Sequence, residues 1–265
     1  MIDYEKIAEI VQTAGREYYD KEACRFERER LLAQTVPDEL RRELSPEMRV
    51  LDIGCGNGRT LIELSGLFAE GVGIDNDPAH LEQAQRNQAD SRAANVTFVE
   101  GRADNLPLEP ESFDVVFSER GPLSGSDVNT ANAARVLRKG GRLLTECPGP
   151  HSHYEVGYIF EPDALAVHRC SQTANLDGIC AVLARNGIDV RLACSFVETW
   201  VFPDVYEWLR YHMSQWDYCG GQRFDAWPVP DELKHGLQRF CRMTADEAGC
   251  IRITNHRLWA GGVKK

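Results

Sequence analysis

The densest chemistry in the chain lies in Val50-Leu51-Asp52-Ile53-Gly54-Cys55-Gly56-Asn57-Gly58-Arg59-Thr60. An apolar run ends in an acid, three glycines follow at alternate positions, and a helix-forming stretch begins. Glycine lets the backbone take φ > 0 and lets a ligand approach with no Cβ in the way. The start of a helix turns free N–H groups toward an anionic part of that ligand. A glycine-rich nucleotide motif requires this strand–loop–helix setting. The spacing here is GxGxG behind a carboxylate, not GxGxxG. Asp52 would repel a pyrophosphate, so the loop suits a ligand with a cationic portion, such as a sulfonium carrying an amino acid.

Further acids fall where such a ligand needs them. Asp75 ends the next apolar run, 21 positions after Gly54, a placement suited to accepting hydrogen bonds from ribose hydroxyls. Asp104 follows Phe98-Val99-Glu100-Gly101-Arg102-Ala103, where an acceptor meets an amino group of a base. Ser118-Glu119 and Cys147-Pro148-Gly149-Pro150-His151 stand just after two later apolar runs, with His153 close behind. Glu119, His151 and His153 are candidate catalytic bases, although a polar loop is the more economical role for the histidines. Tyr18, Tyr19, Tyr154 and Trp208 are candidate substrate contacts. Packing of an N-terminal helix and of a hydrophobic core competes with that role.

The elements that must hold these residues follow from periodicity. Residues 1–45 read as helical and amphipathic. From 49 to 145 strands alternate with helices: strands at 49–53, 71–75, 96–100, 113–118 and 142–146, helices at 60–69, 78–89 and 129–137. The last helix is expected to stop at Arg138-Lys139-Gly140-Gly141, with cations in its final turn and glycine beyond. Such alternation implies parallel strands joined by right-handed crossovers, an α/β doubly wound sheet. Beyond 150 a helix at 176–186 and a strand at 188–199 precede an aromatic stretch. Trp200, Trp208, Trp216 and Trp227 lie in it, with helices expected at 203–214 and 230–247. A final strand spans 250–263. The expected organisation is an N-terminal helical lid (1–47), a core (48–199 and 250–265) and an aromatic helical cap inserted at 200–249.

Composition narrows the function. The chain has 265 residues, 43% hydrophobic and 27% charged, so it is globular in type. A formal net charge of −11 disfavours a nucleic-acid partner, because phosphate affinity comes largely from Lys and Arg. No apolar run reaches about 18 residues, and the acidic N-terminus is not a signal peptide. The nine cysteines form no CxxC and are odd in number, which argues against a disulfide framework and a zinc ribbon. A cytoplasmic protein, monomer or homodimer, with no metal site and no membrane partner is expected.

The stretches VLDIGCGNGRTLIEL, GVGIDNDP, FVEGRADNLPLEPESFDVVFSE and ARVLRKGGRLLTE, in this order across about 48–147, resemble the class I S-adenosylmethionine-dependent methyltransferases. The resemblance implies a Rossmann-like seven-stranded sheet with its last strand antiparallel. It implies S-adenosylmethionine as cofactor and S-adenosylhomocysteine as product. The matching positions place Asp52, Gly54, Cys55, Gly56 and Gly58 around the methionyl portion, with Asp75 and Asn76 at the ribose. Ala103, Asp104 and Asn105 fall beside adenine, and Ser118 at the donor–acceptor junction.

The PGPH segment resembles, more loosely, bacterial large-subunit ribosomal-RNA guanine N1-methyltransferases, whose N-terminal zinc module of paired cysteines is absent here. No Asn/Asp-Pro-Pro-Tyr follows the fourth strand; Ser118-Glu119-Arg120-Gly121-Pro122 stands there instead. The expected activity is methyl transfer to a small molecule. The alternatives are an RNA base methyltransferase using Arg25, Arg28, Arg30, Arg41 and Arg42, and a relative that binds the cofactor without turnover.

Overall fold

The computed structural model describes residues 2–13, 27–30, 35–159, 175–218 and 231–265. The chain divides into two compact units. A sheet unit comprises Leu32–Gly149, Ala174–Phe196 and Arg257–Lys265, and an aromatic unit comprises Met1–Leu31, Pro150–Thr173 and Val197–His256.

In the sheet unit the elements run α2 (Val36–Arg41), β2 (Arg49–Ile53), α3 (Arg59–Leu64), β3 (Glu70–Asp75), α4 (Pro78–Ser91), β4 (Val96–Glu100), β5 (Phe113–Glu119), α5 (Asp127–Val136) and β6 (Leu137–Pro148). Then come α6 (Leu176–Arg185) and the parts of β7 (Ile188–Phe202) and β8 (Ile251–Lys264) that belong to this unit. The strand order is β7-β8-β6-β5-β2-β3-β4, with β2 to β6 parallel and β8 antiparallel to β6. This is the Rossmann-like seven-stranded sheet with an antiparallel last strand.

Local chemistry explains the helix starts. Thr35 caps α2 in a capping box with Asp38, Asp77 caps α4 just before Pro78, and Ser126 caps α5. Alternate strand residues feed two faces. Leu51, Ile53, Val72, Ile74, Val116 and Leu143 pack on one side with Ala133 and Val136 of α5 and Ile179 and Leu183 of α6. Val50, Val96, Phe117, Leu144 and Trp259 pack on the other with Leu40, Leu61 and Leu81.

The aromatic unit contains α1 (Tyr4–Thr13), β1 (Glu27–Arg30), a 3-10 turn at Tyr154–Tyr158, α7 (Val205–Tyr218) and α8 (Asp231–Thr244). Ile7, Trp200, Phe202, Trp208, Phe240 and Ile253 are the heart of its core.

Two expectations need correction. The stretch 1–45 is not wholly helical: Glu27–Arg30 is a strand, antiparallel to Glu198–Val201 of β7. Backbone pairing to a long neighbour overrides the helical propensity of ERER. Arg138-Lys139-Gly140-Gly141 does not end a helix either. The helix stops at Val136, and the stretch lies within β6, where the register with β5 is broken between Phe113 and Val115. Gly140 takes φ +76 there.

Candidate active site

The glycine loop leaves β2 and enters α3 with Gly54, Gly56 and Gly58 at φ +81, +52 and +74. Those values explain the residue type, since a side chain is strained there. Two positions are also spatially closed. A Cβ on Gly58 would lie 2.3 Å from Phe98, and one on Gly54 would lie 2.8 Å from the Pro122 ring. Gly54 and Cys55 donate their N–H groups to the Ile74 carbonyl at 2.7 and 3.0 Å. These bonds tie the loop to the end of β3. Cys55 is buried, and burial pushes its thiol pKa up.

Asp75 holds the loop from beneath. Its Oδ2 accepts the Gly56 N–H at 2.9 Å and its Oδ1 accepts the Asp77 N–H at 3.0 Å, with His80 Nδ1 3.5 Å from Oδ1. Burial works to raise its pKa, but these donors outweigh it and hold the carboxyl below its ordinary value. Asp52 is the opposite case. It is 3% exposed, and its Oδ1 has no hydrogen-bond partner among the described residues. Burial, then the neighbouring Glu119 and Asp75 carboxylates, push its pKa well above the usual range.

The remaining expected cofactor residues lie in the same unit. Ser118 is buried and donates to the Ile53 carbonyl at 2.7 Å, which commits its hydroxyl to the turn. Asn76 is exposed beside Asp75, and Ala103 is half-buried. Asp104 and Asn105 are exposed. Arg102 clamps Asp104 through Nε at 3.0 Å and its terminal nitrogen at 2.7 Å, which holds the carboxyl below its ordinary pKa.

The candidate bases divide between units. Glu119, half-buried at the end of β5, accepts the Thr60 hydroxyl at 2.9 Å in the sheet unit. His151 and His153 belong to the aromatic unit. His151 is exposed, stacks on His256 with ring centroids 5.2 Å apart, and donates its backbone N–H to His256 Nδ1. His153 sits at φ +54 with its ring edge-on to Trp200.

Tyr154 is exposed, with its ring edge-on to Tyr158. Trp208 is 1% exposed, packed on Phe240 at 4.2 Å and stacked on His212 in the core of the aromatic unit. Tyr18 and Tyr19 lie outside the described residues. So does Arg25, while Arg41 and Arg42 are engaged by Asp38 and Glu63, and by Glu39. Among the described residues no group of three or more potential metal ligands occurs.

Sequence reasoning missed three residues here. Thr60 was readable only as a helix start, Gly121 as a loop residue. A Cβ on Gly121 would lie 2.2 Å from Ser118 Oγ. Glu146, 2% exposed, bonds through Oε2 to Arg257, while its Oε1 has no partner among the described residues.

The methyltransferase-domain family matches residues 44–225. The chain belongs to that family. It is a class I S-adenosylmethionine-dependent methyltransferase. An uncharacterized methyltransferase of Bacillus subtilis, YcgJ, is 36% identical over 172 residues, 63% of this chain and 66% of YcgJ. A ubiquinone/menaquinone biosynthesis C-methyltransferase of Rhizobium etli, UbiE, is 39% identical over 106 residues, 37% of this chain and 41% of UbiE. These matches thus span two thirds or less of those relatives. The YcgJ crystal structure superimposes with a TM-score of 0.61 at 20% identity, covering 86% of this chain and 97% of that one. No helix among the described residues is long and apolar enough to cross a membrane.

Proposed function

We propose that this methyltransferase moves the methyl group of S-adenosylmethionine onto a small-molecule acceptor by in-line displacement, acting mainly through positioning. The observation that carries this reading is Asp52: a carboxyl buried behind a ligand-permissive glycine loop, with an oxygen that nothing among the described residues engages. A buried acid without a donor is costly, and the ammonium and sulfonium of this cofactor are of the charge that relieves it. Asp75 retains acceptor capacity on both oxygens for ribose hydroxyls, since a carboxylate offers about four lone-pair sites. Asp104, with Ala103 and Asn105, would hold the adenine, and Gly54, Gly56 and Gly58 would leave room for the methionyl chain.

When bound, the cofactor supplies a methyl carbon on sulfonium, so the acceptor's lone pair bonds to that carbon as the C–S pair returns to sulfur, leaving S-adenosylhomocysteine. The chain's own contribution is alignment and exclusion of water, worth as much as about 7–11 kcal/mol in well-oriented systems. A base is required only for an acceptor protonated at neutral pH. Glu119, held by Thr60 in the same unit as the loop, is the proton acceptor we assign, with His151 and His153 as the competing assignment. The net charge of −11 and the paired Arg41 and Arg42 support a small molecule over RNA. So do the C-methyltransferase name of UbiE and the O-methyltransferase name of a 30% identical Aspergillus nomiae relative.

Isothermal titration with S-adenosylmethionine and S-adenosylhomocysteine tests the reading. Micromolar binding that Asp75→Ala abolishes is expected. Absence of binding to the wild type overturns it. If turnover with an identified acceptor keeps its pH profile in Glu119→Gln but loses it in His151→Ala or His153→Ala, the base is the histidine.

A further inference from the structure

Three carboxyls stand in a row across the ends of adjacent strands. Asp52 on β2 pairs in register with Phe117 on β5, and Phe117 with Leu144 on β6. Two residues further on, Glu119 pairs with Glu146, and Glu146 with Trp259 on β8. Side chains alternate along a strand, so Asp52, Glu119, Glu146 and Trp259 share the face that carries Phe117 and Leu144. Glu119 acts electrostatically on both Asp52 and Glu146. Three polar atoms in this row are buried without a partner among the described residues: Asp52 Oδ1, Glu146 Oε1 and Trp259 Nε1. Arg257 engages only the other oxygen of Glu146.

We propose that this row selects the acceptor: the small molecule methylated here is an amine, held by Glu119 and Glu146. The inference rests on the methyl-transfer reading above. Its basis is charge movement. When a sulfonium methylates an amine, the nitrogen lone pair forms the new N–C bond, the C–S pair returns to sulfur, and the positive charge passes from sulfur to nitrogen. The total charge does not change. A row of carboxyls from Asp52 to Glu146 stabilises that charge at both ends of its path. A proton released from a secondary ammonium product goes to Glu119. A phenolate or carbanion acceptor behaves oppositely: it must approach as an anion, and the same row repels it. Arg257 and Arg120 offset Glu146 in part, but Asp52, Asp75 and Glu119 remain.

The test uses two shape-matched probes, choline and its uncharged carbon isostere 3,3-dimethylbutan-1-ol, titrated into full-length protein saturated with S-adenosylhomocysteine. Choline is expected to bind at least tenfold more tightly than the isostere. Glu146→Gln and Glu119→Gln are each expected to erase most of that preference while S-adenosylhomocysteine still binds, which also reports that the variants fold. Equal affinity for the two probes, or no choline binding at millimolar concentration, overturns the amine assignment and leaves the methyltransferase reading standing. Failure of S-adenosylhomocysteine itself to bind removes both.

Discussion

Asp52 in the sheet unit and Glu198 in the aromatic unit are buried to the same degree, each 3% exposed, yet their surroundings differ. Glu198 accepts the Trp200 indole N–H at 2.7 Å and the Asn255 amide at 2.6 Å. Asn255 lies 3.5 Å from Ser152, which bonds in turn to His256, so the acid anchors a network that ties β7 to β8 within that unit. Asp52 has an oxygen with no such donor among the described residues, and two further carboxyls as neighbours. Burial alone therefore does not separate an acid that holds a fold from one that holds a ligand; the donors do. Four substitutions or conditions sharpen or break this contrast.

The largest effect is expected in the aromatic unit. Trp208→Ala removes the ring packed on Phe240 in the core with Trp200 and Phe202. A loss of about 3–5 kcal/mol in unfolding free energy is expected from urea denaturation. A change under about 1 kcal/mol would mean that Trp208 is loosely held and available to a ligand after all.

Glu198→Ala comes next. It strands the Trp200 N–H and the Asn255 amide in the interior, at a cost of about 2–4 kcal/mol by the same measurement. The effect on S-adenosylhomocysteine affinity is expected to stay within twofold. A large affinity loss with unchanged stability would reverse the roles assigned to the two acids.

How much of this was legible in the sequence follows from where each signal is stored. The sheet unit was readable because its information is local: Asp77-Pro78 and Ser126 start helices where they stand, and Gly54, Gly56 and Gly58 are required by their own φ values. The cofactor loop was readable for the same reason. The edge strand Glu27–Arg30 was not, because its four charged residues carry no apolar period and its strand character comes from Glu198–Val201, about 170 positions away. The role of Trp208 was ambiguous, since aromatic residues at helical spacing look alike in a core and in a ligand cage. Glu146 reads as an ordinary acid near a strand end. Its place beside Glu119 exists only through cross-strand register.

Asp52→Asn is expected to behave as the mirror of Glu198→Ala. It keeps the shape, removes an acid whose Oδ1 has no donor among the described residues, and should change unfolding free energy by no more than about 1 kcal/mol. S-adenosylmethionine affinity should nevertheless fall at least tenfold, about 1.4 kcal/mol. A stability loss larger than that of Glu198→Ala would make Asp52 a structural acid.

The smallest effect is in pH dependence, and its sign follows from the direction of the shift. The Asp52 carboxyl is pushed above its ordinary value of 3.8 in the folded chain by burial and by Glu119 and Asp75. The folded state then holds a proton that the unfolded chain has released. The stability this group contributes is present in full below that ordinary value and is lost as pH rises through the folded value. Glu146, raised mainly by burial, has the same sign. Asp75 and Asp104 have the opposite sign, since their folded values are lowered, and their contribution is lost only as pH falls. Subtracting the profile of Asp52→Asn from that of the wild type between about pH 4 and pH 8 isolates the first term. The difference should decline with rising pH, and saturation with S-adenosylmethionine should flatten it, because a bound cation restores the ionised carboxyl. A difference that rises with pH would show that Asp52 is already ionised and partnered, as Glu198 is bonded, and the contrast between the two regions would disappear.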